Sequence, residues 1–379
     1  MKFIVSKSKI ETAAKHISQV INKKASIPIL ADIHFTVLDG MVSMTGSDGE
    51  VELRFGIHAD TEGAGMFCVE ASRLVDALSP LDEQPVTIIA DTENGDAARF
   101  ELQHETGHVH FPLEKADEFP MMEQEEQIES IMLPAREVAS AIQYCLWTTA
   151  EGDLRPIMNG INFNVTEEST DIVASDGHSI MLYRTTSGSS GIGSFIMPKK
   201  AAKILPKILH WYDDDDVDIK WSLRQAVFTQ EDFTLAFRLV EGRYPDYMSV
   251  IPKKLPHTIK ADRSLLLAGV KKVEPFSPDS SNMITWTVSD KEIMMSADDY
   301  DRSEGAVDKV PVECDLATGQ TVGIGMKAGK LISLLSKMPY SKLLIRFDTP
   351  DRAVVIESGD DTKNEWSLLG LTMPMIINS

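Results

Sequence analysis

Phe67-Cys68-Val69-Glu70-Ala71-Ser72-Arg73-Leu74 reads as a short strand running straight into a helix, and the chain contains it three times. The second copy is Phe195-Ile196-Met197-Pro198-Lys199-Lys200-Ala201-Ala202, 128 residues further on. Val322-Gly323-Ile324-Gly325-Met326-Lys327-Ala328-Gly329 follows after another 127. Other markers keep step. Ser47-Asp48 recurs as Ser175-Asp176 and weakly as Ala297-Asp298, at offsets of 128 and 122, and Phe119-Pro120 recurs as Tyr244-Pro245 at 125. A period near one third of 379 residues is too long for a solenoid unit, so each copy is expected to be a domain. The expected boundaries are 1–124, 125–252 and 253–379. An acidic stretch at 122–129 and a Pro/Lys stretch at 252–256 read as the linkers.

Working outward, each copy has the same order of elements. A helix opens it, with apolar residues at helical spacing: Ile10, Ala13, Ala14, Ile17, Val20 and Ile21 in the first copy. Val138, Ala141, Ile142 and Cys145 mark the second, and Leu266, Val270 and Val273 the third. Alternating strands follow, such as His34 to Val37, Val42 to Thr45, Ile161 to Val165 and Ile172 to Ser175. A second helix and two or three more strands close the copy. Glu93-Asn94-Gly95-Asp96 and Ser358-Gly359-Asp360-Asp361 read as turns between strands. The fold class this order predicts is α+β, with two helices packed on a mostly antiparallel sheet in each of three similar domains.

Composition narrows the class. Hydrophobic residues at 43% and charged residues at 25% describe a soluble globular chain, and no apolar run approaches a membrane span. Lys2-Phe3-Ile4-Val5 reads as a strand, not as the apolar core of a signal peptide. Cys68, Cys145 and Cys314 are scattered without metal-ligand spacing, which predicts reduced, buried thiols in a cytosolic protein.

A net charge of −21 argues at first against nucleic acid, but the charge is unevenly spread. The six helical windows 7–24, 70–79, 134–149, 198–210, 262–276 and 327–338 hold 17 Lys or Arg against 6 Asp or Glu. The remainder carries 20 against 52. Lys199, Lys200, Lys203 and Lys207 share one helical face, opposite Ala202, Leu205 and Leu209, and Pro206 is expected to kink that helix. Lys327, Lys330 and Lys337 fall on another common face. Lysines on one helix are ordinarily a solvated surface. Six helical windows that are basic in sum within an acidic chain also fit a basic surface that holds phosphates without reading bases, with an acidic exterior that repels DNA.

Several motifs tempt and fail. His104-Glu105-Thr106-Gly107-His108 matches the zinc-protease pattern, which requires a helix, yet its flanks predict a hairpin turning near Thr106-Gly107. Gly325 to Lys330 resembles a phosphate loop but has Ile324 where the first glycine belongs and Leu331 in place of the hydroxyl. The run from Asp213 to Asp216 lacks EF-hand spacing and reads as a solvated turn. Asp176, His178 and Ser179 are triad residue types, but neighbours on a strand point to opposite faces. Residues 187–193 read as a flexible loop.

The motifs that remain resemble a family. Met1-Lys2-Phe3, Ile27-Pro28-Ile29-Leu30 and Thr45-Gly46-Ser47-Asp48 are similar to the first domain of bacterial sliding clamps, the β subunits of replicative DNA polymerase III. Arg155-Pro156-Ile157-Met158-Asn159-Gly160 and Ala174-Ser175-Asp176-Gly177-His178 resemble the second domain. Glu241-Gly242-Arg243-Tyr244-Pro245-Asp246-Tyr247 and Met373-Pro374-Met375 complete a set that spans the chain in order.

The resemblance implies a DNA clamp fold in a ring-forming homodimer, joined head to tail, that encircles duplex DNA without sequence preference and has no catalytic activity. It implies DNA contacts from Lys24, and the basic helices add Arg73, Arg136, Lys199, Lys200, Lys203, Lys207, Lys271, Lys272, Lys327 and Lys330 as candidates. Val109 and Phe111 would form an edge strand facing Phe276 of the other subunit. A pocket lined by Met158, Gly177, His178, Ile180, Pro245, Val250, Met373, Pro374 and Met375 would take short hydrophobic peptides. Their carriers would be polymerase III α, the loader, other polymerases and repair proteins; two thioethers suit varied Leu and Phe anchors. Ser179 and Ser249 stand where many members carry arginine, and two residues extend past the usual terminus. No cofactor or metal and a cytoplasmic location are expected. The rival readings are an acidic scaffold that never meets DNA and a metal-dependent hydrolase using the His104/His108 region.

Overall fold

The computed structural model describes residues 1–22, 27–92, 98–123, 125–152, 155–187, 191–210, 215–360 and 365–377. Lys24, the turn at 93–96, Asp213, Asp214, Asp361, the centre of the 187–193 loop and the last two residues therefore lie outside the described residues.

The repeat read from the sequence is present as repeated structure. The strands Gly65–Glu70, Gly193–Pro198 and Val322–Lys327 each run directly into a helix, Ala71–Leu78, Lys199–Leu209 and Ala328–Lys337. Opening helices Lys7–Ile17, Ala135–Cys145 and Arg263–Val273 each follow a strand, Lys2–Ser6, Glu129–Pro134 and His257–Asp262. Their apolar stripes face inward: Ile10, Ala14 and Ile17, then Val138, Ala141, Ile142 and Cys145, then Leu266, Val270 and Val273 are all fully buried.

Aromatic packing repeats at the same period. Phe35 lies opposite Phe67 on paired strands and stacks on it with centroids 4.8 Å apart. Phe163 lies opposite Phe195 in the same way, also at 4.8 Å. In the third copy buried Trp286 is registered opposite Ile324, so one large ring and a branched side chain fill the place of two rings.

Strand pairing does not stop where the sequence copies end. Residues 1–139, 189–191 and 200–239 form one compact unit, and residues 140–188, 192–199 and 240–379 form another, so the middle copy is divided between them. In the first unit Phe233–Arg238 pairs antiparallel with Val51–His58, joining strands of the second copy to those of the first in one eight-stranded sheet. In the second unit Ser179–Thr185 pairs with Trp366–Thr372 over seven residues, which makes a nine-stranded sheet from the second and third copies. The first unit also holds a five-stranded sheet ending at the edge strand Gly107–Pro112, and the second a four-stranded sheet ending at the edge strand Glu304–Pro311. Every strand pairing described is antiparallel, as the alternating patterns require.

Three expectations need correction. The hairpin of the zinc-like motif joins Arg99–His104 to Gly107–Pro112 with its turn at Glu105-Thr106, because Gly107 already pairs with His104. Lys327 ends a strand and precedes the helix that carries Lys330 and Lys337, so the three do not share a helical face. Cys68 and Cys145 are buried, with burial pushing both thiols up to about 12, but Cys314 is only partly covered on a two-residue strand. Among the described residues no helix is long and apolar enough to cross a membrane.

Candidate functional site

The basic helices divide into free and occupied cations. Lys203 and Lys207 are exposed on Lys199–Leu209, whose other face buries Ala201, Ala202, Ile204, Leu205, Ile208 and Leu209. Lys207 Nζ donates to Gln19 Oε1 at 2.7 Å, and Lys199 pairs with the exposed carboxylate of Glu151 at 3.1 Å. Arg136, Lys271 and Lys327 are exposed; Lys272 reaches Asp308 at 3.0 Å and Arg73 reaches Glu70 at 3.5 Å, both open to solvent. Pairs of that kind are weak and leave the cation available.

Lys200 and Lys330 differ. Lys200 Nζ is bonded to Asp48 and to the Val20 carbonyl, and Lys330 Nζ to Asp176. Burial raises both aspartates, but the lysine and two backbone N–H groups outweigh it and hold each carboxyl below the usual range. The two aspartates were visible in sequence as the Ser-Asp repeat. Their lysine partners, over 150 residues away, were not.

The second site gathers around the strand end at Ser175. Gly177 has φ +87°, and a Cβ there would stand 2.7 Å from Arg155 Nη1. Arg155 also points Nη1 at the sulfur of buried Met158, 4.0 Å away. His178, exposed, accepts Met373 N–H on its carbonyl at 2.8 Å, and Met375 N–H donates to Gly325 O at 2.8 Å. The C-terminal segment is thus tied at two points, with Pro374 between them. Beneath this rim lies a buried cluster of Val173, Ile180, Leu182, Tyr244, Val355 and Leu371.

Pro245 and Val250 flank Tyr247, whose short helix Tyr247–Val250 is fixed from below. Its hydroxyl donates to Asp171 Oδ2 at 2.7 Å, and Arg184 binds the same carboxylate through Nε at 2.6 Å and Nη2 at 2.7 Å. Val250 and Met373 remain 52% and 37% exposed, leaving apolar surface on a rigid base.

Neither serine replaces the missing arginine. Ser179 is buried opposite Thr372, and Ser249 Oγ donates to the Asp246 carbonyl at 2.7 Å. The guanidinium beside the rim belongs to Arg155, whose place in the motif Arg155 to Gly160 gave no sign that it reaches Gly177 and Met158.

At the edges, Val109 is 38% exposed and Phe111 stacks on Phe100 at 4.7 Å, both on Gly107–Pro112, which pairs on one side only. Phe276 ends the short helix Glu274–Phe276 of the second unit at 37% exposure. His104 and His108 sit on two strands of a hairpin, not on one helical face, which removes the geometry a zinc protease uses.

Residues 1–123 match the family described as DNA polymerase III beta subunit, N-terminal domain, and residues 132–246 match its central domain. The chain belongs to the DNA polymerase III beta subunit family. Members of that family similar to it include the beta sliding clamp of Vibrio cholerae, 24% identical over 95% of this chain and 97% of that one. The beta sliding clamp of Bacillus subtilis is 22% identical over 99% of each. Among solved structures, the Pseudomonas aeruginosa sliding clamp bound to griselimycin superposes with a TM-score of 0.92 at 20% identity, covering 100% of both chains. The Thermotoga maritima beta subunit gives 0.89 at 18%, again over 100% of both. The chain therefore has the clamp fold over its whole length.

Proposed function

We propose that this protein is a sliding clamp whose three modules, 1–124, 125–252 and 253–379, pair head to tail with a second copy in a ring around duplex DNA. The observation that carries the reading is the sorting of charge: in a chain of net −21, the six repeated helical windows taken together hold 17 Lys or Arg against 6 Asp or Glu, while the remainder holds 20 against 52. Six similar modules let a head-to-tail contact close with two chains. The exposed edge strand Gly107–Pro112 with Val109 and Phe111, and Phe276 on the other unit, are the surfaces proposed for that contact.

Topological linkage resolves the paradox of an acidic DNA protein. Retention then needs no affinity, and weak contacts from Lys199, Lys203, Lys207, Lys271, Lys272, Lys327, Arg73 and Arg136 to phosphates let the ring slide. Lys24 falls in the same role by family position. The clamp performs no chemistry of its own; it works in the cytoplasm by holding a polymerase at the template. The rim of Met158, Gly177, His178, Ile180, Pro245, Val250, Met373, Pro374 and Met375 receives short hydrophobic peptides of polymerase III α, the loader, other polymerases and repair proteins.

Loading the protein on closed circular and on short linear DNA tests this. Slow loss from the circle and fast loss from the linear fragment are expected. Equal retention on both overturns encirclement.

A further inference from the structure

The turn that carries Gly177 and His178 is organised around one carboxylate. Asp176 Oδ1 accepts the N–H groups of His178 at 2.9 Å and Ser179 at 2.8 Å, and Ser175 Oγ accepts that of Gly177 at 3.1 Å. These bonds shape the turn but are local and do not fix it against anything else. The second oxygen, Oδ2, does that, because it is bonded to Lys330 on the helix Ala328–Lys337. The Asp176 side chain is 11% exposed and that of Lys330 34%, and the ammonium lies 5.9 Å from the centre of the Trp147 ring.

Among the described residues the device occurs twice. Asp48 Oδ1 accepts from Glu50 N at 3.0 Å and Val51 N at 2.8 Å, Ser47 Oγ accepts from Gly49 N at 3.0 Å, and Asp48 Oδ2 is bonded to Lys200. Recurrence of all four partners marks a built tether and not a chance surface pair. Of the two turns, only that of Asp176 carries pocket residues. There the opposite lip is anchored to the same place, since Met375 N–H donates to Gly325 O on the strand that leads into the helix of Lys330. One strand–helix unit, residues 322–337, therefore holds both lips, which meet where His178 O accepts Met373 N–H.

We propose that Lys330 is a positioning residue of the peptide pocket, fixing the Gly177–His178 lip through Asp176, and is not one of the cations that meet DNA. This rests on the pocket reading above. An ion pair with one partner almost covered keeps its geometry better than an exposed one, and loss of the ammonium leaves the charged Asp176 with only its two local N–H donors.

Full-length protein carrying Lys330→Met, Lys330→Arg or Asp176→Asn would be titrated with a synthetic peptide bearing Leu and Phe anchors, and its retention on circular DNA measured across a salt series. Lys330→Met and Asp176→Asn are each expected to weaken the peptide by about tenfold, non-additively when combined, with Lys330→Arg recovering most of the loss. DNA retention and its salt dependence should not move. Hydrogen exchange supplies a second readout: amides of His178, Ser179 and Met373 should lose protection in Lys330→Met while those of the other sheets keep it. Unchanged peptide affinity, altered DNA retention or a uniform loss of protection overturns the assignment. Failure of the unsubstituted protein to bind the peptide overturns the pocket reading, and this inference with it.

Discussion

Arg184 holds Asp171 through two nitrogens, at 2.6 and 2.7 Å, and Tyr247 donates to the same carboxylate at 2.7 Å. The carboxylate is buried while the guanidinium is 40% exposed, so solvent screens part of the pair. Asp171→Asn is expected to cost about 2 kcal/mol, below the range for a fully buried pair, and Tyr247→Phe about 1 kcal/mol. Urea unfolding of the singles and the double would check this. Additive losses would show that the three groups do not act as one network.

Asp32 supplies a pH dependence. It is 7% exposed, and burial, followed by the neighbouring Glu114 and Glu70, raises its carboxyl from 3.8 to about 6. The folded chain then keeps a proton that the unfolded chain releases, so the Asp32 contribution to stability falls as pH rises between those values. Asp32→Asn should therefore raise Tm at pH 7.5, by an amount equivalent to about 2–3 kcal/mol, and leave it unchanged near pH 3.5. An equal gain at both pH values would assign the effect to packing instead.

Among the lysines of Lys199–Leu209 the prediction separates two roles. Changing Lys199, Lys203 and Lys207 to Glu should impair loading on DNA, with thermal stability altered by less than about 0.5 kcal/mol each. Each phosphate contact removed should flatten the log–log salt dependence by about 0.9. Lys200→Met should instead cost about 1 kcal/mol of stability through Asp48 and leave DNA behaviour nearly intact. Identical behaviour of Lys200 and Lys203 variants would contradict the division into occupied and free cations.

Val109 tests the proposed seam between copies. It is half-exposed on an edge strand and makes a cleaner probe than Phe111, which stacks on Phe100. Val109→Asp should shift sedimentation from dimer to monomer with the fold preserved by circular dichroism. A dimer of unchanged stability would remove this edge from the contact.

Periodic patterns carried far in the sequence. Ile10, Ala14 and Ile17 buried one helical face as their spacing requires, and the strand into helix at Phe67 recurred at Phe195 and Val322. The proposed pocket was legible only through family motifs, because Met158, His178 and Met373 come together through contacts that no local rule encodes. Lysine counts were equally blind to pairing: Lys200 and Lys203 look alike on a helical wheel, yet one is tied to Asp48 and the other faces solvent. Nor could spacing reveal that Ser179–Thr185 and Trp366–Thr372, almost two hundred residues apart, would be neighbours. Parity along a strand sets which face is buried, not which strand lies alongside.

That last ladder has a practical corollary. A protease nick at the exposed Lys253-Lys254 would sever the polypeptide, but seven registered residue pairs from Ser179–Thr372 to Thr185–Trp366 would still clasp the fragments together. Native gels of such a clipped sample should run as the intact species, and only denaturant should release the pieces.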